Sequence, residues 1–404
     1  MKIAMVSEHA SPLALLGGVD AGGQNVHVAE LSGALSKQGH DVTVYTRRED
    51  PDAPECVPAD RGYRVVHVPA GPARTLPKDE LLPHMGEFGD FLRARWRTER
   101  PDVVHAHFWM SGLAALAAAR PADIPVVQTF HALGVVKRRY QGPDDTSPPE
   151  RIELEQRIAQ QAARIIATCT DEVFELARMG VPRSSTCVIP GGVHLGQFGI
   201  DGPVEEKTAR YRMISVGRLV PRKGFDTAIC ALTGLPDTEL VVVGGADAGE
   251  PADDPEGRRL LALADKLGVR DRLHMLGQVP RSRVPALLRS ADVAVCAPWY
   301  EPFGMTPLEA MACGVPVVAS AVGGLIDTVV DGVTGRLVTP RDPAKLAEAV
   351  QDLLAEPATA RRYGRAGHAR VESRYSWDRI AAEVLREYHR VGATAVGTSR
   401  EQAQ

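Results

Sequence analysis

Short runs of apolar residues alternate along the chain with longer stretches in which apolar residues recur at helical spacing. The short runs end at turn residues and are apolar almost throughout, which is typical of strands buried on both faces of a parallel sheet. The longer stretches fit the crossover helices that parallel strands require. The pattern therefore predicts an α/β protein. In the first half it predicts strands at residues 2–6, 41–46, 64–68, 103–106, 126–130, 165–168 and 187–189, with helices between them such as 23–38 and 151–163.

The alternation is interrupted at residues 191–207, which are rich in Gly, Asp and Glu and show no clear periodicity. A second series of strands is then predicted at residues 211–216, 240–243, 272–276, 293–297 and 316–320. We place an interdomain linker at the interruption and predict two doubly wound parallel-sheet domains, at residues 1–198 and 208–375. A capped amphipathic helix is expected within residues 376–404. The length of 404 residues also fits two hydrophobic cores better than one.

Composition narrows the class of function. Apolar residues make up 44% of the chain and charged residues 24%, which is the balance of a soluble globular protein. The net charge of −4 argues against a general nucleic-acid binder, because phosphate backbones are held mainly by a surplus of Lys and Arg. The cysteines form no CxxC pair, which favours a reduced, cytoplasmic protein. No apolar run approaches the roughly 20 residues that span a bilayer.

A glycine-rich segment, residues 17–25, follows the first predicted strand and leads into a helix. Glycines in such a loop let backbone amides approach a negatively charged ligand closely. The segment lacks the GxGxxG fingerprint, and no acidic residue clearly ends the second strand, so a dinucleotide site is disfavoured. A merely tight turn remains an open alternative.

The second domain opens with two cations, Arg218 and Lys223, on either side of a turn between a buried strand and a helix. A nucleoside diphosphate gains negative charge as it leaves a sugar, and fixed cations can stabilise that charge without a metal ion. The alternative is a solvated basic loop.

Residues 299–316 contain two carboxylates eight positions apart, Glu301 and Glu309, in a Pro- and Gly-rich loop that turns into a helix. A carboxylate that accepts two hydrogen bonds is well matched to vicinal hydroxyls, as on ribose or a hexose. Glu309 has a structural alternative, because the sequence from Thr306 to Glu309 is also a capping box with Pro307 at the first helical position.

With these residues in place, the sequence resembles the retaining glycosyltransferases of family 4, which have the GT-B fold. The resemblance implies two Rossmann-like domains facing a cleft, a C-terminal helix that packs back on the first domain, retention at the anomeric carbon, and no metal or other cofactor. The segments that carry it are Gly22 to Asn25, His105 to His107, His131, Pro190 to Val193, Val216 to Gly224, and Glu301 to Glu309.

The resemblance also implies roles for individual residues at the donor site. His131 would contact the donor sugar near its reacting face, and His107 would line the cleft, although a histidine after a strand is often a structural hydrogen bonder. The resemblance implies no protein general base, since the acceptor proton is thought to pass to the leaving diphosphate. The expected donor-binding residues are Gly22, Gly23, Arg218, Lys223, Glu301, Phe303, Gly304, Met305, Thr306 and Glu309, and the expected catalytic set is Arg218, Lys223, Glu301 and His131.

Within the family, the sequence resembles the mycothiol-pathway enzymes that glycosylate inositol phosphate, and the sucrose-phosphate synthases. Asn25, Lys78 and Arg151 match positions that hold a phosphorylated acceptor in the mycothiol group, although Lys78 and Arg151 are also compatible with plain surface charge. Phe108 and Ala132 stand where that group has Tyr and Thr, so two hydroxyl donors to the phosphate are missing. His107, Phe108 and Ala132 complete the expected acceptor site.

The predicted activity is transfer of a hexose or N-acetylhexosamine from a nucleotide sugar, with UDP as the expected nucleotide, to a cyclitol, a cyclitol phosphate or a sugar. A nucleotide-sugar epimerase is the nearest alternative, and a dehydrogenase or an inactive binding module are others. A lipid-directed transferase is a further alternative, because a membrane could attract the arginines near Phe91, Leu92 and Trp96. An ordinary solvated helix face is favoured for those arginines, namely Arg93, Arg95, Arg97 and Arg100.

Overall fold

The apolar runs that predict strands become the strands of two separate sheets. The computed structural model describes residues 1–14, 22–245 and 251–401, with side chains up to residue 393. Within that part of the chain, residues 1–14, 22–190 and 377–401 form one unit, and the described residues between 191 and 376 form the other. No helix among the described residues is both long and apolar enough to cross a membrane.

The first unit is built on a sheet with the strand order β3-β4-β2-β1-β5-β6-β7-β8. Neighbouring strands pair in parallel, except that β3 pairs antiparallel with β4. The strands are β1 Lys2–Val6, β2 Asp41–Arg47, β3 Cys56–Pro58, β4 Arg64–Val68, β5 Val103–His107, β6 Val126–Thr129, β7 Arg164–Ala167 and β8 Thr186–Val188. The helices are α1 Gly23–Lys37, α2 Met85–Trp96, α3 Trp109–Ala119, α4 Gly134–Gln141, α5 Arg151–Gln161 and α6 Thr170–Arg178.

The second unit is built on an all-parallel sheet with the strand order β11-β10-β9-β12-β13-β14. The strands are β9 Tyr211–Val216, β10 Thr238–Val243, β11 Leu273–Met275, β12 Val293–Cys296, β13 Val317–Ser320 and β14 Gly335–Val338. The helices are α7 Phe225–Leu232, α8 Pro255–Leu267, α9 Val284–Arg289, α10 Met305–Ala312, α11 Leu325–Thr328, α12 Pro343–Ala355 and α13 Pro357–Arg374. The chain then enters α14, Trp377–Glu401, which belongs to the first unit.

The predicted class of two doubly wound α/β domains is confirmed, and every predicted strand is present with its ends shifted by at most two residues. Two edge strands escaped the sequence analysis. β3 is only three residues long and mostly exposed, and β14 is partly exposed along most of its length. Neither strand shows the continuous apolar run of a strand that is buried on both faces.

Residues 191–198 pack in the second unit, although the sequence analysis assigns them to the first domain. Val193 and Phe198 are buried in the same apolar cluster as Ile214 on β9. The amide of Val193 also donates to the carbonyl oxygen of Tyr375, near the end of the second unit. The division between the units therefore lies at Pro190 rather than at residue 198, because burial of these side chains is decided by tertiary contacts.

Helix α14 completes the apolar core of the first unit. Ile380 and Tyr388 on this helix are fully buried with Leu31 of α1 and Val44 of β2. The apolar residues of the arginine-rich segment on α2 are also used for packing, since Leu92 and Trp96 are buried. Arg93 and Arg95 form ion pairs with carboxylates of the same unit. Leu92 and Trp96 are therefore not displayed for contact with a lipid surface.

We expect Phe198→Ala to lower the free energy of unfolding by about 3 to 5 kcal/mol, because it leaves a cavity in the core of the second unit. The matched control is Phe174→Ala on α6, where the side chain is 56% exposed and the expected loss is under about 1 kcal/mol. Equilibrium urea unfolding of the full chain measures both. Equal losses in the two variants would contradict the assignment of Phe198 to a packed core.

Candidate active site

Many of the candidate site residues, including Gly22, His107, Lys223 and Glu301, lie at or after the ends of strands that flank the topological switch point of each sheet. In the first unit the switch point is between β1 and β5, and in the second it is between β9 and β12. Chains leave adjacent parallel strands in opposite directions at such a point, which opens a crevice at their carboxyl ends. The residues that the sequence singles out therefore cluster at one edge of each sheet.

Lys223 and Glu301 form a buried ion pair at this edge of the second unit. Lys223 Nζ lies 2.5 Å from Glu301 Oε2, and Arg222 lies 3.8 Å from the same oxygen. Burial raises the pKa of Glu301, but the charges of Lys223, Arg222 and Arg218 outweigh it and hold that pKa below its ordinary value. Burial lowers the pKa of Lys223, and Glu301 offsets part of that effect. The structure thus brings Arg218, Lys223 and Glu301 together.

The loops that carry this pair are braced against each other. The backbone amide of Trp299 donates to the carbonyl oxygen of Arg222 at 2.9 Å, and that of Gly324 donates to the carbonyl oxygen of Glu301 at 2.9 Å. Gly224 adopts a φ of 67°, and a Cβ atom there would lie 1.9 Å from the carbonyl oxygen of Ala297. Only glycine fits at this position, so the close approach of the two loops depends on it.

Glu309 is buried on α10 and pairs with Arg281, whose guanidinium lies 4.8 Å from the ring centroid of Phe198. Burial raises the pKa of Glu309, and Arg281 partly offsets that rise. The capping-box prediction is wrong. The helix already begins at Met305 with Gly304 as its N-cap, and the Thr306 hydroxyl donates to the carbonyl oxygen of Val216 at 3.2 Å.

The remaining predicted donor-site residues fall around these groups. Lys223, Glu301, Gly304 and Thr306 line one pocket of the second unit. Phe303 is partly buried against the apolar cluster of that unit.

In the first unit, Gly22 is the N-cap of α1 and Gly23 is its first residue. Asn25 is buried, accepts a hydrogen bond from the amide of Gly22 at 2.9 Å, and donates one to the carbonyl oxygen of Ser11 at 3.0 Å. Asn25 therefore fixes the loop at the start of α1. The part of the predicted glycine-rich segment at residues 17–21 lies outside the described residues.

Four histidines pack together at the carboxyl edge of the first sheet. His107 Nδ1 lies 3.0 Å from His131 Nε2, and the ring of His27 meets that of His131 edge-on. His105 bonds to Tyr388 Oη on α14 at 2.7 Å and to a threonine hydroxyl on β6. Burial lowers the pKa of His27 to about 4 and that of His105 to about 3, and it holds those of His107 and His131 well below their ordinary value. The cluster is therefore neutral at neutral pH.

Two residues of this edge have backbone angles that side chains rarely adopt. The φ of Phe108 is 81° and that of His131 is 61°. The surrounding structure must hold such residues in place, and they are found disproportionately at functional sites. Phe108 is fixed from both sides, since its amide donates to the carbonyl oxygen of Thr129 and its carbonyl oxygen accepts from Gln128 Nε2.

Two of the predicted acceptor-site residues lie over the Phe108 ring. The Arg151 guanidinium lies 5.1 Å from the ring centroid, and Lys78 Nζ lies 5.6 Å from it. Arg151 is 2% exposed, so the reading of it as surface charge is wrong. It bonds to Glu155 at 2.7 Å and to the carbonyl oxygen of Ala132 at 2.7 Å. The structure thus places Lys78, Phe108, Ala132 and Arg151 together.

Comparison with known proteins identifies the chain. Residues 21–197 match the family described as Glycosyltransferase Family 4, and residues 200–370 match the family described as Glycosyl transferases group 1. A D-inositol 3-phosphate glycosyltransferase from Xylanimonas cellulosilytica is 38% identical over 406 residues, covering 96% of each chain. The chain belongs to glycosyltransferase family 4. A second relative of the same name, from Geodermatophilus obscurus, is 36% identical and covers 96% of this chain and 89% of its own.

A solved structure extends the comparison to three dimensions. Sucrose-phosphate synthase from Thermosynechococcus elongatus superposes with a TM-score of 0.89 at 33% identity, covering 97% of this glycosyltransferase and 99% of the other chain. The Anabaena protein HepE, solved with UDP-glucose, shares the fold with a TM-score of 0.70 at 20% identity. The expected GT-B fold and transferase class are confirmed.

Sequence reasoning missed several groups of the transferase that lie at the same edges. Glu8 is fully buried after β1, pairs with His9 Nδ1 at 2.6 Å and accepts a hydrogen bond from Ser111. The His9 ring meets the Phe108 ring edge-on, with centroids 4.8 Å apart. The position of Glu8, a charged residue just after an apolar strand, was the feature of the sequence that could have indicated its role. Arg281 gave no such signal, since its partner Glu309 is distant in sequence.

Among the described residues, no group of three or more His, Cys, Asp or Glu is arranged to hold a metal ion.

We expect His27→Phe to reduce the acid sensitivity of the transferase. The unfolded chain takes up a proton on His27 near pH 6.5, whereas the folded chain resists it down to about pH 4. Stability from this group is therefore complete above pH 6.5 and is lost as the pH falls towards 4. Between pH 7 and 5 the variant should lose about 2 kcal/mol less than the wild type.

Urea unfolding at the two pH values measures this difference, and His389→Phe is the control because His389 is exposed on α14. An unchanged pH dependence in His27→Phe would contradict the burial of a neutral His27.

Proposed function

We propose that this enzyme is a retaining, metal-independent transferase that moves a hexose or N-acetylhexosamine from a UDP-sugar to a small phosphorylated polyol. The observation that carries the proposal is the meeting of Arg218, Lys223 and Glu301 at the switch point of the second unit, with Glu309 on the helix that follows. The relatives named D-inositol 3-phosphate glycosyltransferase and the sucrose-phosphate synthase support a phosphorylated acceptor or product.

The donor site supplies charge for the leaving group. When the bond between the anomeric carbon and the diphosphate oxygen breaks, negative charge develops on that oxygen, and Arg218 and Lys223 are positioned to stabilise it. A new bond forms between the anomeric carbon and the acceptor oxygen, and the acceptor proton passes to the departing diphosphate. Since the positive charges are fixed in the fold, this chemistry needs no metal ion to supply them.

The two glutamates hold hydroxyl groups in this proposal. Glu301 remains ionised beside Lys223, so it can accept hydrogen bonds from the donor sugar. Glu309 binds the ribose diol with one oxygen while Arg281 holds the carboxylate in place. The buried pairs orient both carboxylates before the ligand arrives, which lowers the entropy lost on binding.

The acceptor phosphate is assigned to the first unit, where Lys78 and Arg151 approach the Phe108 ring from within 6 Å. Glu155 neutralises part of the charge of Arg151 and keeps that side chain in one position. Lys78 is only partly buried, so its ammonium can move to meet a phosphate. Phe108 and Ala132 provide no hydroxyl, so the two cations carry recognition of the phosphate.

We expect Arg218→Met to lower kcat for sugar transfer by about 100-fold, because one fixed charge on the leaving group is removed. The matched control, Arg210→Met, removes an exposed arginine of the same unit and should leave kcat unchanged. The assay is a panel of UDP-, GDP- and ADP-sugars with and without EDTA, scored first for slow hydrolysis and then for transfer.

Equal rates for Arg218→Met and wild type would contradict the donor assignment, and loss of activity in EDTA would contradict metal independence. Conversion of the donor sugar without any acceptor would instead favour the epimerase.

We expect Lys78→Met to raise KM for a phosphorylated acceptor by about tenfold, since one charge-assisted contact is lost. KM for the nucleotide sugar and the rate of its hydrolysis should not change. The acceptors are compared in pairs, inositol 3-phosphate with inositol and fructose 6-phosphate with fructose. Lys37→Met, at an exposed lysine of the same unit, is the control. An equal change for both members of each pair would argue against a phosphate site at Lys78.

A further inference from the structure

The hydrogen bond between His107 and His131 joins two nitrogens that can each be donor or acceptor. His107 ends β5, His131 follows β6, and the distance from Nδ1 of His107 to Nε2 of His131 is 3.0 Å. Desolvation of the two rings, complete at His107 and partial at His131, keeps both imidazoles neutral, and the positive charge that a protonated ring would impose on the other histidines acts in the same direction. A neutral imidazole carries one N–H, so the proton between the rings belongs to either His107 or His131.

The other nitrogen of His107 decides between these two arrangements. Nε2 of His107 is buried and has no hydrogen-bond partner in the part of the chain that the structure describes. If His107 carried its proton there, an N–H donor would be buried without an acceptor, which is rare in native proteins. If the proton is on Nδ1, that donor is satisfied by His131 and only a lone pair remains unpaired.

We propose that His107 is a positioning residue that fixes the tautomer of His131. His107 donates from Nδ1 to Nε2 of His131, so the proton of His131 must be on Nδ1. His131 then presents an N–H group, and not a lone pair, to an oxygen of the bound donor sugar. This inference rests on the proposed function, together with the contact between His131 and the donor sugar that the family resemblance implies.

Neighbouring side chains hold His107 in the required orientation. The ring of His105 lies 4.1 Å from that of His107, measured between centroids. His105 is itself fixed at both nitrogens, by Tyr388 Oη at 2.7 Å and by Thr129 Oγ1 at 2.9 Å. His107 is fully buried and His105 is 1% exposed, so neither ring has room to flip without disturbing α14. Tyr388 on α14 is thus coupled through His105 to the pair that meets the substrate.

The tautomer limits what His131 can do. Within the described residues, the only hydrogen bond of the His131 ring is the one to His107, and the residue is partly exposed. Its Nδ1–H can donate to a sugar oxygen and hold it in place. The same nitrogen has no lone pair with which to remove a proton from the acceptor hydroxyl. The geometry therefore assigns His131 as a hydrogen-bond donor and excludes it as the general base.

The direct test is the ¹⁵N chemical shift of the His131 ring in the full-length protein, labelled on histidine and assigned with a His131→Gln variant. At pH 7.5 we expect Nδ1 of His131 to give the protonated, pyrrole-type shift and Nε2 the unprotonated, pyridine-type shift. The reverse pattern, or an average of both, would overturn the proposal. This measurement needs no substrate and no turnover, so it stands even if the proposed function is wrong.

Two nearly isosteric variants test the consequence for catalysis. Asn at position 107 can donate its amide N–H where Nδ1–H was, so His107→Asn should keep the tautomer of His131 and kcat within about threefold. Leu at that position can neither donate nor accept, so His107→Leu should leave the His131 proton free to occupy either nitrogen, average the two ¹⁵N shifts and lower kcat about fivefold or more, with KM for both substrates nearly unchanged. A tautomer change without loss of kcat would refute the donor role of His131.

If the wild type transferred no sugar from any nucleotide sugar, the proposed function would be refuted. The assignment of the His131 tautomer would not be affected. An unfolded His107→Leu variant would leave the wild-type ¹⁵N shifts and His107→Asn as the deciding measurements.

Discussion

Lys223 is held beside Glu301 where β9 and β12 end, and the properties of the second unit's site follow from that buried pair. Moving two charges out of water costs several kcal/mol per ion, which mutual attraction repays only in good geometry. The backbone bonds between the loops, and the contact that Gly224 allows, supply that geometry. A site that keeps its charges in place without ligand has little reorganisation left when a charged ligand binds.

The first unit also limits the cost of moving charged groups out of water, and it does so in two ways. Arg151 is buried against Glu155, which repeats the arrangement of a cation with a fixed carboxylate. In the part of the chain that the structure describes, the four clustered histidines form no hydrogen bond to a carboxylate, and they avoid the cost of a buried charge by remaining neutral. Each neutral ring has one donor and one acceptor nitrogen, so two such rings can form a hydrogen bond with each other. The direction of that bond decides which nitrogen of each ring carries the proton, whereas charged rings would offer only donors.

Much of the fold could be predicted from residues alone because parallel strands buried on both faces leave apolar runs in the sequence. β3 and β14 escaped because edge strands lack that burial. The site residues after β1, β9 and β12 could be singled out because glycines, cations and carboxylates there directly follow buried parallel strands, where ligands bind in such sheets. Their partners could not, since Arg281 and Glu309 meet only through the tertiary fold, and Gly304 took the capping position that the Thr306 pattern suggested.

At the proposed acceptor edge, Phe108 and Ala132 have no hydroxyl group with which to recognise an anion. Hydroxyl groups recognise an anion by direction, because each donates along one line. The Phe108 ring attracts the two cations to its neighbourhood through its quadrupole, while Arg151 remains tied to Glu155 and to the carbonyl oxygen of Ala132. An anion at this edge would meet positive charge from two sides and fewer directional donors. Under the proposed function, selectivity among acceptors at this edge is set by the position of the charge more than by the orientation of the phosphate oxygens.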